Sequence, residues 1–316
     1  MQGNKGLGLR IFLFLLAVIN LYALEPVLPI KEVKLNYEKA ILGKMLFFDK
    51  SLSLDKKTAC VSCHSPKFGG ADNKPVSIGV FGRVDGPMNS PTVYNAVFNC
   101  WQFWNGRAKD LQEQAAMAFV DEKEMGMTPK KIEKVVNSNS KYKLLFKKIY
   151  KKKYITFEMV CNAIAEFEKA LITPNSRFDK YLKGDKNALS VKEKRGYILF
   201  KAYGCITCHN GVNFGGNSFQ KVGIFIENID LIRGRDRFEV THNPMDKYVY
   251  KVPTLRNIAL TGPYLHDGSE DSLKKVIILM GKWNLGIKIP KKDVSDIEAF
   301  LLTLTGEKPK ILDDIK

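Results

Sequence analysis

Two copies of one short motif, Cys60-Val61-Ser62-Cys63-His64 and Cys205-Ile206-Thr207-Cys208-His209, constrain this chain more than anything else in it. C-x-x-C-H is the attachment signature of c-type haem. Two thiols reach the two vinyl groups on one edge of the porphyrin, and the next residue sets an imidazole nitrogen on the iron. A redox C-x-x-C pair does not need the following His. A single four-Cys zinc site would have to join motifs more than 140 residues apart and would leave both histidines unexplained. The expectation is two covalently bound haem c groups.

A chain of 316 residues is long enough for two domains, each with a core of its own. The formal net charge is +17. Its lysines are scattered along solvent faces, as at Lys130, Lys131, Lys134, Lys141, Lys143, Lys147 and Lys148, and no nucleic-acid module accompanies them. Nucleic acid is therefore excluded as a partner, and the charge bears on solubility and on acidic redox partners. Lys5 and Arg10 precede an apolar run from Ile11 to about Ala23, the pattern of a secretory signal peptide over 1–23. An uncleaved anchor is the alternative, although the run is short for a membrane span. Both readings export the rest of the chain, which places it in the periplasm.

Between and after the motifs the periodicity is helical. Thr128-Pro129 reads as an N-cap and first helical position. Val160, Ile164, Phe167 and Leu171 recur on one face, with Cys161 in the same apolar register. Ser190 and Glu193 form a capping-box pattern, and Val294, Ile297, Phe300, Leu301 and Leu304 close the chain as an amphipathic helix. Long strand patterns are absent. The expected fold is all-α: two cytochrome c-like domains, each with one covalently bound haem, covering 24–174 and 175–316. The boundary falls in Thr173-Pro174-Asn175-Ser176, where Pro interrupts the helix. A Gly-Gly loop follows each motif, at Gly69-Gly70 and Gly215-Gly216, as a weak internal repeat. Cys161 reads as a buried, inert thiol, with a disulfide to Cys100 as the alternative in an oxidising compartment.

Further segments carry a family resemblance. They are Asn89-Ser90-Pro91-Thr92, Gln102-Phe103-Trp104-Asn105-Gly106-Arg107, Glu124-Met125-Gly126-Met127, Thr173-Pro174-Asn175-Ser176-Arg177-Phe178, Val252-Pro253-Thr254-Leu255-Arg256-Asn257 and His266-Asp267-Gly268. With the two haem motifs they span Glu38 to Leu304, and the chain resembles the bacterial di-haem cytochrome c peroxidases. The resemblance implies that the N-terminal haem binds hydrogen peroxide. The C-terminal haem then receives electrons from a small donor protein such as a cytochrome c. It implies Glu124 as the proton shuttle, Gln114 as its partner in the pocket and Trp104 between the two haems. It implies a calcium ion held by Asn89, Thr261 and Pro263, all through oxygen. Family members often dimerise, but no self-complementary face is visible in the sequence.

Met280 occupies the family's position for the second haem's distal ligand and shares a helical face with Leu273, Val276 and Ile277. A thioether there raises the haem potential. Met245 is the competing candidate. The related branch that matures tryptophan tryptophylquinone has Tyr at the Met280 position, so Met280 favours the peroxidase branch. Many relatives also carry a distal His on the first haem, sixteen residues beyond the proximal one; here that residue is Val80. Val has no lone pair, and the expectation is an open distal position trans to His64. The remaining histidines, His242 and His266, are poor substitutes. Two rival functions remain at this stage: a non-enzymatic electron carrier or redox sensor, and a haem-dependent oxidase related to the maturation branch.

Overall fold

The structure is a computed structural model that describes residues 25–84, 86, 88–225 and 234–313. The expected signal segment over 1–23 lies outside the described residues, and no described helix is long and apolar enough to cross a membrane. Eleven helices are present among the described residues: α1 (Tyr37–Phe47), α2 (Cys60–Cys63), α3 (Leu111–Val120), α4 (Pro129–Ser138), α5 (Ser140–Tyr150), α6 (Phe157–Lys169), α7 (Arg177–Leu182), α8 (Val191–Ala202), α9 (Phe238–Thr241), α10 (Leu273–Asn284) and α11 (Lys291–Leu302). One short antiparallel ribbon, β1 (Phe219–Lys221) with β2 (Val249–Lys251), is the described sheet. The protein is helical, as the periodicity predicts.

The helix starts follow local chemistry. Thr128 accepts from Lys131 N with Pro129 behind it, and Thr156 accepts from Met159 N. Ser190 and Glu193 cap each other reciprocally at the start of α8. Each side-chain oxygen satisfies an amide that the first helical turn leaves unpaired.

Two helix pairs repeat one packing device. On α1, a Cβ at Gly43 would lie 1.9 Å from the carbonyl oxygen of Ala163 on α6. On α8, a Cβ at Gly196 would lie 1.9 Å from the carbonyl oxygen of Asp296 on α11. Only glycine permits such a close crossing. One turn further along, Phe47 meets Phe167 edge-on at 5.1 Å between ring centroids, and Phe200 meets Phe300 at 5.3 Å. Phe47 then lies 6.4 Å from the His64 ring and Phe200 lies 6.5 Å from the His209 ring. Gly-x-x-x-Phe on one helix and Phe on its partner thus build the same wall behind each motif histidine.

Two large apolar clusters result among the described residues, beside a small one of Ala96, Leu111 and Ala165. The first gathers residues from Ala40 to Leu171, and the second gathers residues from Phe178 to Leu304. The ends of the chain cross over: Val27 packs in the second cluster, and Ile311 and Leu312 pack in the first. The halves also share polar contacts. Thr173 Oγ1 accepts from Asn95 Nδ2 at 2.7 Å and from Asn257 Nδ2 at 2.9 Å. The two asparagines stand in matching Pro-Thr-x-x-Asn segments, Pro91–Asn95 and Pro253–Asn257, and both adopt the left-handed conformation. Cys161 is buried in the first cluster, where burial pushes its thiol up to about 12, and both Cys100 and Cys161 are unpaired.

Arg256 and Asp179 form an ion pair with side chains 0% and 1% exposed. Arg256 also donates to the carbonyls of Val212 and Leu28, and Asp179 accepts from Ser176 N. Removing one member leaves the other charge buried and unpaired. Asp179→Asn is expected to lower unfolding free energy by about 3–5 kcal/mol in denaturant titrations; a loss below about 1 kcal/mol would contradict this reading of the pair.

Candidate haem sites

Each C-x-x-C-H motif borders a large cavity. The first has about 1260 Å³ of open space, its mouth included, and is lined by Cys60, Cys63 and His64. The second has about 2170 Å³ and is lined by Cys205, Cys208, His209 and Met280. Each cavity has both thiols and the histidine of its motif in its wall, the donor set that a covalently attached haem requires.

The histidines are oriented from behind. His64 Nδ1 pairs with the carbonyl of Gly70 at 3.2 Å, and His209 Nδ1 pairs with that of Phe214 at 3.3 Å. A carbonyl only accepts, so Nδ1 carries the proton and Nε2 keeps its lone pair for a metal. Burial lowers both imidazole pKa values, His209 to about 4, and keeps the rings neutral. The carbonyls come from the Gly-Gly loops, which turn tightly because Gly69, Gly70, Gly215 and Gly216 all have positive φ. A Cβ at Gly215 would lie 2.2 Å from the carbonyl oxygen of Pro253.

The four motif cysteines are unpaired thiols. Burial raises Cys60 most strongly, and Cys63 and Cys205 to about 11. Such thiols are poor thiolates, which argues against a dithiol redox centre.

The first cavity gathers most of the catalytic candidates. Glu124, Gln114 and Trp104 all line it. Gln114 Oε1 is buried and has no hydrogen-bond partner among the described residues. An orphaned buried acceptor fits a site completed by a bound group. Glu124 Oε1 lies 3.3 Å from Arg107 Nη2, and the Arg107 guanidinium stacks 3.4 Å above the Phe103 ring. Arg107 belongs to the same sequence segment as Trp104, yet its role as the clamp on Glu124 is visible only once the chain is folded. Trp104 lines both cavities, and its indole N–H donates to the Asn89 carbonyl at 2.9 Å.

Val80 is fully buried and does not line the first cavity. Its amide donates to the Glu124 carbonyl at 3.0 Å, and its side chain packs beside Gly126. His64 is the one histidine in that lining. His266 instead stacks on Tyr250 at 4.3 Å beside the second cavity, and His242 is exposed near Phe238. Two thioethers also reach the wall of the first cavity: Met125 belongs to the first apolar cluster, and Met88 Sδ accepts from Arg235 N at 3.1 Å.

In the second cavity Met280 stands on α10 with Leu273, Val276 and Ile277. Met245 is 79% exposed and outside that lining, which removes it as the competing ligand. Asn89, Thr261 and Pro263 share the second cavity's wall. They offer neutral oxygens only, and no cluster of three or more acidic, His or Cys ligands occurs among the described residues.

These features meet known proteins at one place. The sequence profile described as di-haem cytochrome c peroxidase matches residues 37–187. The cytochrome c551 peroxidase of Nitrosomonas europaea is 49% identical over 286 residues, 90% of this chain and 85% of that protein. The cytochrome c551 peroxidase of Pseudomonas aeruginosa is 41% identical, over 91% of this chain and 84% of its own. A solved MauG-like protein associated with microbial copper homeostasis superposes with a TM-score of 0.81 at 26% identity, covering 91% of this chain and 96% of its own. The chain is a haem peroxidase by class. It belongs to the di-haem cytochrome c peroxidase family.

Sequence reasoning gave no role to Glu168. It lies on α6 in the wall of the first cavity, 3% exposed, and burial pushes its carboxyl up to about 8. Because the folded state holds this proton more tightly than the unfolded chain, the contribution of Glu168 to stability is greatest below the ordinary carboxyl range and falls as pH rises toward 8. Glu168→Gln is expected to remove up to ~1.4 kcal/mol per pH unit from that slope. Thermal or urea unfolding between pH 5 and 8 checks this; identical slopes in both proteins would refute it.

Proposed function

We propose that this chain reduces hydrogen peroxide at an N-terminal haem c that needs no reductive activation, using electrons that enter through a C-terminal haem c from a small cytochrome-type donor. The observation that carries the reading is the asymmetry between the cavities. Glu124 and Gln114 face the first, where position 80 contributes no ligand, while Met280 faces the second. When bound, the haems supply the iron and the electrons for O–O cleavage.

The chain's own residues supply positioning and proton transfer. His64 and His209 present a neutral Nε2, fixed by the Gly70 and Phe214 carbonyls. Glu124 takes the proton from one peroxide oxygen and returns it to the oxygen that leaves. Arg107 holds that carboxylate in place, and its stacking on Phe103 restrains the guanidinium. Gln114 offers its free Oε1 to a hydroxyl proton of the substrate. Trp104 spans the gap between the cavities and shortens the path for electrons. Met280 would help to hold the second haem and, as a weak neutral donor, would favour its reduced form.

Asn89, Thr261 and Pro263 are the proposed calcium ligands, with waters completing the shell. One haem per half, export to the periplasm and assembly as a homodimer complete the proposal. The first rests on the two matching cavities, the second on the basic and apolar N-terminal sequence, and the third on the family resemblance alone.

A simple electron carrier has no use for an acid–base group and an unpaired amide oxygen beside its first iron. Glu124→Gln is expected to reduce kcat for peroxide by about 10²–10⁴-fold with both haem spectra unchanged. The fully oxidised wild type, mixed with peroxide in a stopped-flow cell, is expected to react as fast as protein in which the second haem was first reduced. A lag that only prior reduction removes would contradict the open first site, and full activity in Glu124→Gln would contradict the proton shuttle.

A further inference from the structure

Lys251 is the one buried lysine among the described residues. It ends β2, where it pairs with Phe219 across the ribbon, and its amide donates to the Trp104 carbonyl at 2.7 Å. The residue is only 5% exposed. Among the described residues its ammonium meets no carboxylate, carbonyl or ring, and Lys251 is one of the residues that line the second cavity with Cys205, Cys208, His209 and Met280. Burial is the sole influence on its pKa, which falls to about 8.

A buried cation without a counter-ion is costly, and proteins keep one only where something pairs with it. No protein group does so here. The missing anion therefore belongs to what fills the cavity. Haem c carries two carboxylates on the porphyrin edge remote from the thioether bonds. The motif cysteines fix the opposite edge, so those carboxylates must meet another part of the wall.

We infer that Lys251 is the counter-ion of a propionate of the second haem, and that its positive charge helps to hold that haem at high potential. The inference rests on the reading that the second cavity holds haem c. Reduction adds one electron to the iron, and a nearby fixed cation favours the state with the extra negative charge. Its low-dielectric surroundings strengthen the effect. Met280 and Lys251 would then act in the same direction on the second haem's potential. The backbone bond to Trp104 ties this lysine to the residue that lines both cavities, so the charge sits where electrons leave the second haem for the first.

The test is a potentiometric titration of the purified di-haem protein against its Lys251→Met, Lys251→Gln and Lys251→Arg variants. Haem content is read from the pyridine haemochrome. Lys251→Met and Lys251→Gln are expected to lower the second haem's midpoint potential and leave the first haem's unchanged, and Lys251→Arg is expected to keep the wild-type value. A Lys251→Met protein with two haems and the wild-type potential would overturn the inference. So would a fall in Lys251→Arg as large as in Lys251→Met. Fewer than two haems per wild-type chain would instead remove the reading beneath it. If neutral variants fail to mature, resonance Raman spectra of the wild type decide: the propionate bending mode of the second haem is expected at the raised frequency of a strongly hydrogen-bonded carboxylate, and a free-propionate frequency would overturn the assignment.

Discussion

The bond between each motif histidine and a backbone carbonyl of its Gly-Gly loop is the constraint on which the rest depends. It fixes the tautomer and aims the free nitrogen into the cavity. The loop can reach that position only because its glycines take positive φ and let backbone pass close to backbone. Behind each ring stands a phenylalanine from a helix pair crossed at glycine, Gly43 with α6 and Gly196 with α11. One construction is used twice, and the two halves differ mainly in what faces the histidine across the cavity.

That difference is the functional core of the account. In the wall of the cavity that His209 lines, the chain also places a thioether from α10. Around the first cavity it places a carboxylate clamped by Arg107 and an amide oxygen with no partner, while the residue at position 80 turns into the protein beside Gly126. Trp104 touches both spaces. On the proposed reading, the second site would gather electrons and the first would spend them on an oxidant.

Much of this was legible in the sequence. The helical class followed from apolar residues at steps of three and four and from capping pairs such as Ser190 with Glu193, because those signals are local. The haem motifs carry their chemistry in five consecutive residues. Glu124, Gln114 and Trp104 were reached through family resemblance, and the fold brings all three to one cavity. What stayed hidden depends on distant parts of the chain meeting. The Gly43 and Gly196 crossings need partner residues a hundred or more positions away, and the swapped ends, with Val27 in one cluster and Ile311 in the other, follow no local pattern. Nothing local in the sequence marks Glu168 or Lys251, since burial is a tertiary property. Arg107 stood in a recognised segment, but its ion pair with Glu124 spans seventeen residues and is set by the fold.

Low-temperature electron paramagnetic resonance of the fully oxidised protein tests the central claim most directly, because it reports the ligands of both irons at once. The account predicts a high-spin signal from the haem on His64, with no strong protein ligand opposite it, and a low-spin signal of His–Met type from the haem on His209. A low-spin, six-coordinate signal from the first haem, or loss of the His–Met signature from the second, would contradict it.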